Sequence, residues 1–561
     1  MNTIKRVPVG ITDFKKIIEQ NYYYVDKTKL IEDILKEGND ATLITRPRRF
    51  GKSLNMDMLK VFFEDKRDRF ANPISTQHLF NNLYISNTEY MAEQGKYPVI
   101  NLTFKKCNGL SWEHILDCIK IEIQKEFKRH KYAFSVDMET YNAYIHDKGL
   151  NLANWENSLE VLTEILSEYH NNNCIIILDE YDVPLRDAYT CNEFEVAINF
   201  FRNFFQAFKG NYNLQYAVVA GCLRISKESI FTGWNNARVC NINGNSLLSY
   251  FGLTNKEVKD LLGYYDLQGY YEEIKEWYNG YNFNGIEIYN PWEVMSYVQD
   301  RRLNMETSPK TYWANTSSNE ILKELMTLQN EDVRYNIDLL LKGYSIRKTI
   351  TENVTYNLLE NNKQNLWSIL YYSGYLTGKL VKDNKYSLRI PNKSVRVCYE
   401  MELLSYITER LDDNFVTRLD RCFINNDAVG LEKELNLFTQ SKLTNYDTVE
   451  SFYHGFIICL LGVLDNRYDI KSNLDIGDGR ADVVMNSTRQ GNLSVILELK
   501  YSSSITETAL RNKAEEGYNQ IINKKYDIFQ SLANTKVHRF GIAFHKKNCA
   551  VYGDYNKNKK E

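Results

Sequence analysis

A chain of 561 residues that is 43% hydrophobic and 25% charged is long enough for more than one domain and apolar enough to bury a large core. Its formal net charge of −3 excludes a globally basic nucleic-acid binder, so any contact with a phosphate backbone has to be local. Ten cysteines without CxxC spacing, several inside apolar runs, read as reduced core thiols rather than a disulfide framework. Met1–Gly10 has no apolar signal region and no apolar run approaches the ~18 residues of a membrane span, so the cytoplasm is the expected compartment and no membrane partner is expected.

Residues 11–38 read as a helical segment, a turn at Asn21-Tyr22-Tyr23, and a second helix with Leu30, Ile31, Ile34 and Leu35 at helical spacing. Asp26, Lys27 and Thr28 lie at its head, where capping is preferred over a place near a nucleotide base. Ala41 to Thr45 is a short apolar run suited to a buried parallel strand, and Leu54 to Phe63 continues with helical spacing. Between them lies Thr45-Arg46-Pro47-Arg48-Arg49-Phe50-Gly51-Lys52-Ser53. A Gly-Lys-Ser at a strand-to-helix junction offers a backbone that can approach phosphate, an ammonium for the β and γ oxygens, and a hydroxyl for Mg²⁺. The full phosphate-loop pattern has Gly where Arg46 stands, so the match is incomplete, and the tripeptide alone also fits a basic surface turn.

Tyr97 to Thr103 reads as another strand, and helical patterns fill 111–130 and 155–170. Cys174-Ile-Ile-Ile-Leu-Asp179-Glu180 is an apolar strand ending in two carboxylates, with Asp179 as the metal-side acid and Glu180 as the base that polarises an attacking water. A helix at 191–209 and the strand Leu214 to Gly221 follow. The βα alternation predicts an α/β fold, a parallel sheet with helices on both faces. Residues 250–300 combine a capped helix after Phe251-Gly-Leu-Thr254 with a Gly/Asn turn cluster at 277–285 and a Pro-headed helix after Asn290, and predict a small lid-like or winged-helix-like appendage. From 301 to 440 amphipathic helices and a hairpin after Tyr371–Thr377 predict a mostly helical connector without a catalytic constellation.

Near the C-terminus, Gly477-Asp-Gly-Arg480-Ala-Asp482-Val-Val-Met485 is a turn running into a strand, and Ser494 to Tyr501 is the returning strand. Residues two apart on a strand share a face, so Glu498 and Lys500 project together beside Asp482, while Leu497 and Leu499 enter the other side. Two carboxylates and an ammonium in one place bind one or two Mg²⁺ and position a hydroxide for attack on a phosphodiester. A bare Glu-Leu-Lys is more often a solvated strand face.

Tyr24-Val-Asp-Lys-Thr28, Arg46-Pro-Arg-Arg-Phe-Gly-Lys-Ser53, Leu178-Asp-Glu-Tyr-Asp-Val-Pro184 and Arg224-Ile-Ser-Lys-Glu-Ser229 resemble the bacterial AAA-ATPase-like family, whose members commonly carry a C-terminal PD-(D/E)XK nuclease-like domain. In that family the loop is typically Arg-Pro-Arg-Arg-Phe-Gly-Lys-Ser, so the missing first Gly is a shared trait; whether Arg46 or Arg48 lies over the phosphates stays open. The resemblance implies ATP and Mg²⁺ as cofactors, with Arg48, Arg49, Phe50, Gly51, Lys52, Ser53 and Asp179 around the nucleotide, Ser53 and Asp179 on the metal, and Glu180 as base. In this class a strand lies between the phosphate strand and the acid strand, and Leu214 to Gly221 is the candidate; Arg224 or Lys227 beyond its tip would reach the γ-phosphate, or else Ser226 or Ser229 caps a helix there and the cations are solvated.

For the C-terminal domain, of restriction-endonuclease-like α/β/α form, the resemblance implies Asp482, Glu498 and Lys500 as the catalytic set. Glu450, on an incoming helix with His454, either completes the metal site or is solvated; His454 is read as packing, and Gln520 or Tyr526 as a phosphate contact. Asp475 stands where many members have Glu. The expected organisation is an ATPase domain over 1–249, the appendage over 250–300, the connector over 301–440 and the nuclease-like domain over 441–561. The expected function is ATP binding and hydrolysis coupled to Mg²⁺-dependent cleavage of nucleic acid, with nucleic acid as partner of the C-terminal domain and a homo-oligomer compatible with the reading. The alternative is a nucleotide-gated interaction or signalling protein whose nuclease-like domain binds without cutting.

Overall fold

The computed structural model describes residues 4–224, 237–313, 331–341, 343–352, 363–408, 414–442, 467–476, 479–488, 493–502, 506–526, 536–545 and 547–554, together with 322, 461, 464 and 504. The chain divides into two compact units, 1–312 with 347–394, and 313–346 with 395–561. Residues 250–300, expected as an appendage, therefore fall inside the first unit, and the expected connector is shared between the two.

The first unit is built on a five-stranded sheet of β1 (Ala41–Thr45), β2 (Val99–Thr103), β3 (Cys174–Asp179), β4 (Leu214–Gly221) and β5 (Arg238–Cys240), in the order β2-β3-β4-β1-β5. Every neighbouring pair is parallel. All residues of β1 and β3 are buried, which requires cover on both faces and explains why these strands read as unbroken apolar runs rather than alternating ones. β4 lies between β1 and β3, with Thr45 in register with Gly221 and Leu178 with Val219. This is the placement expected of the strand between the phosphate strand and the acid strand. It brings the loops after β1, β3 and β4 to one edge of the sheet, where ligands of open α/β sheets bind.

Beyond β5 the same unit carries a small antiparallel sheet of β6 (Leu253–Thr254), β7 (Tyr281–Phe283) and β8 (Ile286–Tyr289), order β6-β8-β7. The helix Asn255–Tyr264 opens with a full capping box between Thr254 and Glu257, and Pro291–Leu303 is capped by Asn290, whose side chain accepts from the N–H groups of Trp292 and Glu293. Lys27, from the Asp26-Lys27-Thr28 segment, is buried and donates to Glu257 and to the Ser249 carbonyl, while Asp26 accepts from the Thr28 N–H. Their work is therefore architectural. A second small sheet has the order β10-β11-β9, formed by β9 (Ile346–Thr349), β10 (Thr377–Lys382) and β11 (Lys385–Arg389). β10 and β11 are the hairpin expected after Tyr371–Thr377, turned through Asp383 and Asn384, both with positive φ.

The second unit holds β12 (Tyr468–Ile476), β13 (Gly479–Ser487), β14 (Leu493–Tyr501), β15 (Lys536–His545) and β16 (Asn548–Gly553), paired in chain order. Only β14 and β15 are parallel, and the helix Glu507–Asn523 stands in the connection between them. Two glycines bring that helix onto the sheet. A Cβ on Gly541 would lie 2.0 Å from the Ala514 carbonyl oxygen, and one on Gly517 would lie 3.2 Å from the Glu498 carbonyl oxygen. Gly541→Ala is expected to force helix and sheet apart and to destabilise this unit by about 1–3 kcal/mol, read as an earlier urea transition.

Candidate functional site

The loop after β1 ends at Gly51, whose left-handed φ of 82° starts the helix Lys52–Phe63. Lys52 is buried, with Nζ donating to the carbonyls of Arg46 (3.0 Å) and Pro47 (3.1 Å) and lying 3.4 Å from Cys222 Sγ at the β4 tip. Ser53 Oγ donates to Asp179 Oδ2 at 2.5 Å, so the two expected metal ligands face each other across the β1 and β3 ends. Glu180 follows in the left-handed region, φ 56°, with its N–H donating to Asp179 Oδ1. Burial, then the charge of Glu180, pushes the Asp179 carboxyl up to about 6. Burial works against the charge of Lys52, but neighbouring Cys222, Glu180, Asp179 and Asp182 more than offset it. Three carboxylates thus surround one ammonium. A hydroxyl and hard carboxylate oxygens with surplus negative charge fit Mg²⁺.

The side chains of Arg46, Arg49 and Phe50 turn away from this edge. Arg46 is fully buried and donates to the carbonyls of Thr45 (2.8 Å), Cys240 (2.6 Å) and Leu247 (2.8 Å), with its guanidinium over the rings of Phe251 and Phe283. Burial lowers its pKa to about 10. The question left open by the sequence is answered for Arg46, which faces the interior. Phe50 is buried edge-on to Tyr281, and Arg49 stacks on Trp292 and donates to the Tyr312 carbonyl. Of the residues expected around the nucleotide, Phe50 and Arg49 therefore direct their side chains into the region of β7, β8 and the following helix, whereas Lys52 and Ser53 converge with Asp179. Arg48 is half-buried. Arg224 pairs with Glu352 at 3.4 Å, and Ser226, Lys227 and Ser229 lie outside the described residues.

Sequence reasoning missed Asp182 and Cys222. Asp182 Oδ2 accepts from the backbone N–H groups of Cys222 (3.0 Å) and Leu223 (3.1 Å), tying β3 to the tip of β4. Burial, then Glu180, raises its carboxyl above the usual range. The only signal was its spacing, three residues past Asp179, and spacing does not reveal a partner on another strand.

In the second unit Asp482, Glu498 and Lys500 do converge. Asp482 Oδ2 accepts from the Leu499 N–H at 2.8 Å, and Lys500 Nζ donates to Glu498 Oε1 at 3.1 Å. Leu497 and Leu499 are buried on the other face, as the strand period requires. Gln520 completes the group: its Oε1 accepts from Lys500 Nζ at 2.7 Å, its Nε2 donates to Glu498 Oε1, and Tyr526 Oη stands 3.5 Å from that Nε2. Glu498 is 2% exposed, and among the described residues its Oε2 has no hydrogen-bond partner. An orphaned, buried carboxylate oxygen beside a second carboxylate fits a divalent cation held by Asp482 and Glu498. Glu450 and His454 lie outside the described residues.

Both units therefore carry the features of known enzyme classes, a phosphate-loop ATPase fold in the first and a nuclease-like carboxylate-lysine site in the second. The profile described as Predicted AAA-ATPase matches residues 8–231, and that of the PD-(D/E)XK nuclease superfamily matches residues 448–553, so the chain carries this two-part architecture. It is 27% identical over 456 residues, 78% of each chain, to an uncharacterized protein in the vnfD 5' region of Azotobacter chroococcum mcd 1. Among solved structures it is similar to the Walker-type ATPase PABY2304 of Pyrococcus abyssi, at 15% identity with a TM-score of 0.34, covering 71% of this chain and 99% of that one. It is also similar to the ORC2 protein of Aeropyrum pernix, at 11% identity with a TM-score of 0.25, covering 69% and 98%. Among the described residues no helix is long and apolar enough to cross a membrane.

Burial, then the charge of Asp482, raises the Glu498 carboxyl from an ordinary 4.5 to about 7. The folded state then holds a proton that the unfolded state has released, so stability present below about 4.5 is lost as pH rises through about 7. Urea midpoints of the second unit are expected to fall across that window, Glu498→Gln to flatten the fall, and added Mg²⁺ to restore stability on its alkaline side.

Proposed function

We propose that this chain binds and hydrolyses ATP at the edge formed by β1, β3 and β4, and that its C-terminal unit cleaves phosphodiester bonds of nucleic acid with Mg²⁺. The observation that carries the first half is the facing of Ser53 and Asp179 beside Lys52, with Glu180 next in chain. Lys52 supplies the cation for the transferred phosphoryl group. Ser53 and Asp179 would hold Mg²⁺, which when bound neutralises charge on the phosphate oxygens. Glu180 accepts a proton from water as the water oxygen bonds to the γ-phosphorus and the bond to the ADP oxygen breaks.

In the second half Asp482 and Glu498 would hold Mg²⁺, which supplies a hydroxide at neutral pH and polarises the phosphoryl oxygens. Lys500 stabilises charge developing on the scissile phosphate, and Gln520 holds Lys500 and Glu498 in place. In this reading 1–249 is the ATPase domain and 441–561 the nuclease-like domain, and nucleotide state gates the second activity. The binding-only reading is favoured by one observation: Glu498 Oε1 already accepts from both Lys500 and Gln520, a group closed on itself.

Lys52→Ala is expected to abolish ATP hydrolysis, and Glu180→Gln to retain ATP binding while slowing turnover by roughly 10²-fold or more. Normal turnover in the lysine variant would sink the phosphate-loop reading. Asp482→Ala and Lys500→Ala should each remove cleavage of plasmid, single-stranded DNA or RNA while leaving ATP hydrolysis nearly intact, and in Lys500→Ala nucleic-acid binding should survive better than cleavage. If wild type binds these substrates and cuts none with any metal or nucleotide, the binding-only reading takes its place.

A further inference from the structure

The hairpin of β10 and β11 has two faces of unlike chemistry. Residues directly opposite in an antiparallel pair project to the same side. Leu380 with Tyr386 and Gly378 with Leu388 therefore form one face, and Thr377 with Arg389, Lys379 with Ser387 and Lys382 with Lys385 the other. The first face is covered by the helix Lys363–Tyr372: Leu388 is buried, and the Tyr386 ring lies 5.4 Å from that of Tyr371. β9 is oriented alike, because Lys348 stands over the buried ring of Trp367 on the same helix, which turns its exposed neighbour Arg347 to the opposite side. Lys379, Lys382, Lys385, Arg389 and Arg347 thus share the open face, and all are exposed.

Little neutralises them. Asp383, in the turn, lies 3.7 Å from Lys382, but the two side chains are 81% and 79% exposed, so their pairing is weak. Glu352 pairs with Arg224 and acts on Tyr372 and Tyr386, whose rings belong to the covered side. Arg389 donates to the carbonyls of Pro391 (3.3 Å) and Gly280 (3.4 Å), and among the described residues Lys379, Lys385 and Arg347 have no carboxylate partner. Lysines on an outer strand are a common guard against edge-to-edge pairing, which accounts for Lys379 and Lys382 on β10. It does not account for Lys385 and Arg389, because β11 is the middle strand of the sheet. On a chain with a net charge of −3, this face is a local positive field.

We infer that the open face of β9, β10 and β11 binds the phosphate backbone of double-helical nucleic acid. The choice of partner rests on the nucleic-acid reading above, but residues 347–394 belong to the first unit, so the surface is separate from the carboxylate-lysine site. From Lys385 to Arg389 an extended strand covers roughly 14 Å, the axial rise of about four phosphates of one nucleic-acid strand. Long cationic side chains in such a row follow a backbone without reading bases. A single strand would need rings on which to stack its bases, and the only aromatic residue of the hairpin, Tyr386, is on the covered side. Leu380 and Val381, at the bulge before the turn, are 61% and 53% exposed. Two such side chains offer too little apolar area for a membrane anchor.

The test follows, by fluorescence anisotropy on the full chain with chelator present, the binding of a labelled DNA duplex of about 25 base pairs between about 50 and 200 mM salt. The variant Lys379→Gln/Lys382→Gln/Lys385→Gln is expected to keep its melting temperature, to bind roughly 10-fold or more weakly, and to flatten the log–log salt slope by about 2–3. Arg at the same three positions is expected to stay near wild type. Wild-type affinity and slope in the Gln variant overturn the inference. So does loss of all duplex binding in Lys500→Ala, which would put the contact in the C-terminal site. Loss of binding to phosphatidylserine vesicles in the Gln variant, with duplex binding kept, overturns it in favour of a membrane surface. If the triple variant does not fold, Lys385→Gln decides: a slope flatter by about 1 supports the inference and an unchanged slope overturns it. Duplex binding that needs these lysines, in a wild type that cuts nothing when metal is supplied, sinks the nuclease reading and supports this one. Cleavage by a wild type whose Gln variant binds unchanged sinks this one alone.

Discussion

A full positive charge buried without a carboxylate partner among the described residues is what the first unit is arranged to hold. Arg46 gives up all contact with water, and three carbonyl oxygens and two aromatic faces replace its hydration. Where the usual phosphate loop begins with a flexible Gly, this one begins with a side chain stapled to the end of β5 and to Leu247. The far end is held in the same manner by Phe50 against Tyr281 and by Arg49 over Trp292. The backbone between these anchors presents its N–H groups from a fixed frame. Lys52, which donates to the carbonyls of Arg46 and Pro47, inherits its position from that frame.

Much of this edge was legible in the chain. β1, β3 and β4 are apolar runs because their strands are covered on both faces, and the residues closing them were visible as Gly-Lys-Ser and Asp-Glu. The place of β4 between the other two followed from the class of site. The direction of the loop side chains was not legible. Phe50 and Arg49 carry the composition of a ligand-binding loop, but their partners, Tyr281, Trp292 and Tyr312, lie more than two hundred positions away, and local pattern carries no record of them. Arg224 and Glu352 pose the same difficulty. β5 spans only three residues, too few to show a period.

In the second unit the convergence of Asp482, Glu498 and Lys500 could be read because a strand alternates strictly and the facing strand runs antiparallel. Gln520 was read as a phosphate contact, and its hydrogen bonds to Lys500 and Glu498 were not foreseen. Those bonds depend on how closely the helix Glu507–Asn523 lies on the sheet, which is fixed by missing side chains at Gly517 and Gly541, and hydrophobic periodicity is silent about an absence. Asp182 belongs with it: a carboxylate in full view whose meaning lies in two amide groups forty residues on.

The anchoring of the phosphate loop also separates what is inherited as a module from what folds as one. The stretch that matches the ATPase profile ends at residue 231, before β5, Leu247, Phe251, Tyr281, Phe283 and Trp292 are reached. A gene fragment cut at that border would carry every signature of the nucleotide site and lack β5, Leu247 and the aromatic surfaces that receive Arg46, Arg49 and Phe50, and one cut at 249 would still lack the aromatic surfaces. The buried guanidinium would face water on a strand edge, and a recombination that exchanged the segment after 231 for that of a distant relative would have to bring matching rings with it. In this lineage the phosphate loop and the small sheet beyond it are free to diverge only as a pair.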